Sequence, residues 1–270
     1  MTLGKVGEGG MGEGANYWRE VAERYHHIGA PFVPPSSIAS QMAALTAGCS
    51  GEGLVLGATP SFAALPAPLT ACDADAAVLA ALWPARHPDR AQITAFWTDM
   101  PFVQGRFHRV YGDGSLNAVG TPQVVVKVLE EVGRVLAPGG IVTIRSFASR
   151  GAAGTRQLIA KPPRAATLAA LRMILSMSLA LPPDYAVRPA DVLSEIEAVH
   201  GTAAAFVAAA GLAPSEAATL EGARGTGLTH FYPPREVLLD LAQSVGFAAR
   251  FVETAGYEGS DLCPILVLTR

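Results

Sequence analysis

Cysteine, charge and long apolar runs are all scarce in this chain. Its three cysteines (Cys49, Cys72, Cys263) are unevenly spaced and form no Cys-x-x-Cys pair, which argues against a disulfide framework or a zinc site and fits a reducing cytoplasm. Only 16% of the 270 residues are charged and the net charge is −3, so no basic patch for a nucleic-acid backbone is expected. The longest apolar stretch, Ala165 to Leu181, carries Arg172 and is short for a bilayer crossing. The N-terminus lacks the basic-then-apolar order of a signal peptide. No internal repeat stands out. The G-x-G-x-x-G run that cradles a pyrophosphate is missing after the first apolar run, which disfavours a nicotinamide-dependent oxidoreductase. These absences point to a cytoplasmic protein that binds neither nucleic acid nor membrane.

What is present is a large apolar fraction, 50% of the chain, enough to bury the core of one domain with an appended subdomain. The first fourteen residues include six glycines, so residues 1–15 are expected to be disordered. Strand-like runs recur at Leu54–Gly57, Leu69–Asp73, Ile93–Phe96, Phe107–Tyr111, Ile141–Ser146, Arg250–Thr254 and Ile265–Leu268. Helical patterns fall between them at Ala74–Leu82 and Pro122–Leu136; in the second, Val125, Val128, Leu129, Val132, Val135 and Leu136 form one apolar face. Alternation of strand and helix predicts a mostly parallel sheet covered on both faces. The loop Ala255–Leu262 is too short for a parallel crossover, so the last two strands must run antiparallel.

From about Gly151 the alternation stops. Alanine-rich segments at Ala165–Leu181, Ala190–His200 and Ala203–Ala210, broken by prolines, read as a helical insertion over residues 151–227. The α/β core then comprises residues 16–150 and 228–270, with a late helix at Arg235–Val245.

The turn Gly57-Ala58-Thr59-Pro60, the acid Asp73 sixteen residues after Gly57, Leu82-Trp83-Pro84, Gly112-Asp113-Gly114-Ser115-Leu116-Asn117 and Leu136-Ala137-Pro138-Gly139-Gly140 form a recognisable series. With seven strands ending in an antiparallel pair, it resembles the class I S-adenosylmethionine-dependent methyltransferases. It is similar in particular to a bacterial subgroup whose first loop reads Gly-x-Thr-Pro. The resemblance implies a Rossmann-like seven-stranded sheet with a helical cap, S-adenosyl-L-methionine as cofactor, and a small-molecule acceptor with an oxygen, nitrogen or carbon nucleophile. It covers roughly residues 17–150 and 228–270. One departure is the first loop, where Gly57 is followed by Ala58, Thr59 and Pro60 and proline contributes no N–H.

The resemblance implies a cofactor site at Gly57, Ala58, Thr59, Asp73, Ala74, Trp97, Thr98, Asp113, Gly114 and Ser115, with Trp18 and Tyr25 from a helix at Asn16–Tyr25. Asp73 at a strand end suits the ribose hydroxyls, the role favoured here over capping the helix that begins at Ala74. Phe96 takes the place where many relatives carry an adenine-binding acid, so Trp97 can stack instead, with Thr98 and Asp99 near the adenine edge. Asp113-Gly114 reads both as a ligand loop and as an Asx turn. Tyr25 is expected at the methionine end of the cofactor, while Tyr17 is expected to pack against the sheet. His27 and His230 are the candidate proton acceptors, although His27 can equally be a solvated side chain; no catalytic residue is fixed. The adjacent His26 and His27 point different ways and do not make a metal pair. Arg145, inside a strand, must be paired or near solvent. Arg172 can reach an acidic substrate or a protein carboxylate. A non-catalytic cofactor- or partner-binding protein of the same fold is the alternative, and the helical insertion could pair two subunits as a homodimer.

Overall fold

The computed structural model describes residues 11–84, 87–149, 155–163 and 167–270. Three helices precede the first strand: α1 (Met11–Glu23), α2 (Tyr25–Ile28) and α3 (Ser36–Leu45). The first helix therefore begins inside the stretch expected to lack order, and residues 1–10 lie outside the described residues.

The apolar runs become strands β1 (Gly53–Leu56), β2 (Leu69–Asp73), β3 (Arg90–Thr94), β4 (Phe107–Asp113) and β5 (Leu136–Arg145). Helices α4 (Ala76–Leu82), α5 (Ser115–Ala118) and α6 (Pro122–Val135) lie among them. A single 3-10 segment, Pro60–Ala64, occupies the connection from β1 to β2. In α6, Thr121 accepts from Val124 N–H, Pro122 takes the first turn, and Val125, Val128, Leu129, Val132 and Val135 are buried on one face. The next strand starts immediately at Leu136, because Leu136 pairs with Phe107 before a register shift carries Ile141 opposite Arg109.

A helical block follows: α7 (Thr155–Ala160), α8 (Leu168–Leu179), α9 (Pro189–His200), α10 (Ala203–Ala209) and α11 (Glu216–Glu221). Ala165 and Ala166, expected to start the first long helix of this block, lie outside the described residues. Within and after it, β6 (Ala186–Val187) and β7 (His230–Phe231) form a small antiparallel pair missed by the sequence reading. The chain ends with α12 (Arg235–Ser244), β8 (Ala248–Val252) and β9 (Ile265–Thr269).

The main sheet has seven strands in the order β3-β2-β1-β4-β5-β9-β8. β1 to β5 run parallel, whereas β9 is antiparallel to both β5 and β8. This is the Rossmann-like arrangement expected, and its crossovers cover both faces. One face buries Leu54, Val110, Val142 and Leu268 with α6; the other buries Val55, Tyr111 and Val267 with Ile38 and Met42 of α3. The helical block has a core of its own around Leu171, Leu175, Ile196 and Phe206. Among the described residues no single helix is long and apolar enough to cross a membrane.

Candidate functional site

In a parallel sheet the connection between strands leaves a crevice at the carboxyl ends where the strand order reverses. Here that reversal falls between β1 and β4, and a cavity of about 900 Å³ opens there beneath α1 and the helical block. Its volume lies at the large end of the range for small-molecule sites, about 300–1,000 Å³.

Gly57, the first residue after β1, has φ +109° and donates its N–H to Cys72 O at 2.8 Å. A Cβ on this residue would point into the gap between Trp97 (Cζ2 at 3.8 Å) and Asp73 (Oδ2 at 4.0 Å). Trp97 is held by its own indole N–H, which donates to Cys72 O at 2.7 Å. Asp73 ends β2 and accepts Asp75 N–H on Oδ1 at 2.9 Å, leaving Oδ2 toward Gly57. Burial raises the Asp73 carboxyl above its ordinary value, against the pull of the Asp75 N–H. The α4 cap is not Asp73: Asp75 accepts from the N–H groups of Ala77 and Val78, and the helix starts at Ala76 rather than Ala74. Asp75 also receives Arg19 Nε at 3.0 Å, which fastens α1 over this side of the cavity.

All the cofactor positions implied by the resemblance line the cavity: Trp18, Tyr25, Gly57, Ala58, Thr59, Asp73, Ala74, Trp97, Thr98, Asp113, Gly114 and Ser115. Several of them also have structural partners. Asp113 Oδ1 accepts Arg145 Nε at 2.5 Å, with both side chains buried, so the cation inside β5 is paired. Burial pushes the Asp113 carboxyl up, against the attraction of Arg145. Burial works against the Arg145 charge, yet Asp113 holds the guanidinium above its ordinary value. Ser115 Oγ donates to Leu56 O at 2.8 Å, tying the start of α5 to β1. Gly114 has φ +62°, and a Cβ there would approach Phe147 to 2.9 Å. Asn117, at the end of the same string, donates to Phe147 O and Phe231 O at 2.8 and 2.6 Å and accepts Phe147 N–H at 2.9 Å. The Gly-Asp-Gly-Ser-Leu-Asn segment thus knits β1, β5 and β7 together at the cavity floor.

His230 and Tyr232 line the cavity while Phe231 between them enters the sheet core, the alternation expected of a strand. His230 contacts the rings of Tyr17 and Trp18 edge-on, with centroids 6.0 and 5.9 Å away. Burial, reinforced by Arg172, pushes its imidazole down to about 4. Tyr25 places its hydroxyl in a buried position with no hydrogen-bond partner among the described residues; burial raises its ionisation well above the ordinary value, with Asp113 adding to the effect.

Two expectations are corrected by these positions. His27 is exposed on the four-residue α2 and does not line the cavity, so it is not placed to take a proton there. Tyr17 is a wall residue of the cavity rather than sheet packing, because α1 crosses above the crevice. The loop His230-Phe231-Tyr232-Pro233-Pro234, expected from the sequence to line the substrate cavity, contributes His230 and Tyr232 to its wall, whereas Phe32, Phe147 and Ser176 were missed as lining residues. Among the described residues no three His, Cys, Asp or Glu side chains gather as a metal-binding group.

No protein-family model and no curated relative matches this chain. Solved structures do. The DhpI complex with SAM and HEP is 16% identical with a TM-score of 0.57, over 98% of each chain. The 1,6-didemethyltoxoflavin-N1-methyltransferase from Burkholderia thailandensis, bound to 1,6-didemethyltoxoflavin and S-adenosylhomocysteine, is 13% identical with a TM-score of 0.55, over 99% of this chain and 91% of its own. A structure from Rhodobacter sphaeroides that bears the provisional name of a zinc-dependent alcohol dehydrogenase is 14% identical with a TM-score of 0.59, over 96% and 98%. The fold is therefore the Rossmann-like fold shared with structurally characterised methyltransferases.

Proposed function

We propose that this protein transfers a methyl group from S-adenosyl-L-methionine to a small-molecule nucleophile. The observation that carries the reading is the cradle at the ends of β1 and β2. A glycine open to the cavity stands between a carboxylate whose Oδ2 faces it and an anchored indole face. A ribose suits Asp73 Oδ2, which accepts hydroxyl donors, and a flat base suits Trp97. Two solved neighbours, DhpI and the toxoflavin methyltransferase, are complexes with SAM or S-adenosylhomocysteine, which supports the same cofactor here. The loop Gly57-Ala58-Thr59-Pro60 does not favour the oxidoreductase name of the third neighbour, because it is not the glycine-rich run that a dinucleotide pyrophosphate requires.

When bound, the cofactor supplies a methyl group already activated on a sulfonium. The residues of this chain have to hold, orient and exclude water. Gly57, Asp73 and Trp97 would grip the nucleoside, while Tyr25 and Trp18 lie on the wall contributed by the N-terminal helices. The helical block, residues 151–227 in our reading, serves as a cap that closes the acceptor side. His230 keeps a lone pair at neutral pH and is the group we assign to accept a hydrogen bond or proton from the nucleophile.

Calorimetry with S-adenosylmethionine and S-adenosylhomocysteine tests the reading, and both should bind. The short 3-10 segment after β1 favours a second reading, a non-catalytic protein of this fold, because five residues of 3-10 geometry present fewer aligned N–H groups than a full helix. Binding of neither ligand would support that alternative.

A further inference from the structure

Arg172 lies on α8, and its guanidinium is surrounded by cavity-lining groups. Its Cζ stands 5.7 Å from the ring centroid of Phe32, and its charge is felt by both His230 and Tyr232. Among the described residues it makes neither an ion pair nor a hydrogen bond. Of the three acids that line the cavity, none is ion-paired to Arg172, and Asp73 lies at the other end with Gly57 and Trp97. Asp75 pairs with Arg19, the other arginine on the cavity wall, and Asp113 pairs with Arg145.

A half-buried guanidinium without a counter-charge opposes folding unless something completes it. Its planar fork of donors matches the two oxygens of a carboxylate. The neighbouring imidazole is neutral at physiological pH, so this wall offers one positive charge, suited to a monoanion rather than a dianion. Around it stand Tyr17, Trp18, Phe32 and Tyr232, flat surfaces that bury an apolar body.

We infer that the acceptor is a hydrophobic monocarboxylic acid, its carboxylate gripped by Arg172 and its body packed against these four rings. This assignment rests on the methyl-transfer reading and names the substrate class of that same cavity.

Calorimetry on the full chain decides it, using benzoate, 3-phenylpropionate and indole-3-acetate, each beside its primary amide, with and without S-adenosylhomocysteine. At least one acid should bind about ten- to a hundredfold tighter than its amide. In R172Q that acid should fall to the amide's level while the amide is unchanged; R172K, which keeps the charge without the fork, should retain part of the preference. Amides binding as well as acids, no acid binding at all, or a preference that survives in R172Q would overturn the inference. So would phenylphosphonate outbinding every acid. A loss of S-adenosylhomocysteine affinity confined to R172Q would assign the guanidinium to the cofactor's carboxylate and overturn it too. Failure of wild-type protein to bind S-adenosylhomocysteine removes the methyltransferase reading, and the acceptor assignment with it. The acid–amide comparison on unliganded protein then reads Arg172 independently. R172Q and R172K must each show a wild-type thermal transition; should R172Q not fold, R172K carries the comparison.

Discussion

Arg145 and Asp113 sit side by side at the carboxyl ends of β5 and β4, joined Nε to Oδ1 at 2.5 Å, with exposures of 0% and 5%. The guanidinium also reaches the Tyr257 hydroxyl at 3.3 Å and stands over the Phe147 and Tyr257 rings. This pair clamps the strands that form the cavity floor. R145M would leave an uncompensated buried carboxylate, and it should lower stability by about 3–5 kcal/mol in urea denaturation. The double variant R145M/D113L should recover much of that loss, because an apolar pair of similar bulk needs no desolvation. Wild-type stability in R145M together with lost cofactor binding would instead make the pair a ligand site.

Asp73 and Asp75 lie two residues apart and should behave differently when removed. D73A should weaken S-adenosylhomocysteine binding by about one to two decades, since a hydrogen bond to a charged group contributes roughly 1.5–3 kcal/mol. D75A removes the α4 cap and the Arg19 contact. It should cost about 1 kcal/mol of stability and leave affinity within a few-fold of wild type. Calorimetry and thermal denaturation on both variants separate the roles; equal affinity losses would refute the division.

The place of Asp73 was legible in the sequence and the partner of Asp113 was not, for a physical reason. An acid closing an apolar run marks a strand end, so the place of Asp73 could be read locally, and the sheet sets its Oδ2 toward Gly57. The parallel run of strands and the antiparallel final pair followed from alternation and from the short final loop. Asp113 read both as a ligand-loop residue and as an Asx turn, but its partner Arg145 is thirty-two residues away, and only strand register brings the two together. The wall formed by Tyr17, Phe32, Arg172 and Tyr232 was harder still. It is assembled from α1, the segment before α3, α8 and the residue after β7, which share no local pattern. Strand edges were read with shifts of up to five residues, the largest at the start of β5, and at β3 Arg90-Ala91-Gln92 is polar yet pairs with β2. Pairing there overrides composition.

Gly57 gives a test of the cradle that is independent of charge. Its φ of +109° disfavours any side chain, and the added Cβ would enter the gap between Trp97 and Asp73. G57A should cost about 1–2 kcal/mol of stability from backbone strain. It should also lower S-adenosylhomocysteine affinity at least about tenfold. Urea denaturation reads the first effect and calorimetry on the folded variant the second. Affinity equal to wild type would show that no ligand approaches Gly57.

Buried His230 makes the stability of this protein sensitive to acid. Its folded imidazole is pushed from 6.5 down to about 4, chiefly by burial and also by Arg172. The unfolded chain therefore takes up this proton first as pH falls. The neutral histidine's contribution is fully present above about pH 6.5 and is lost progressively between about 6.5 and 4. Each tenfold difference in proton affinity between the unfolded and folded chains corresponds to about 1.4 kcal/mol, so the loss reaches up to ~3 kcal/mol. H230F keeps a ring against Trp18 and cannot be protonated, so its stability should fall less than wild type over this window. NMR titration should find the His230 transition near pH 4 in wild type and higher in R172Q, where the repelling charge is gone. A wild-type midpoint near 6.5 would mean that the imidazole is solvated, and its assignment as the neutral acceptor in the cavity would fail.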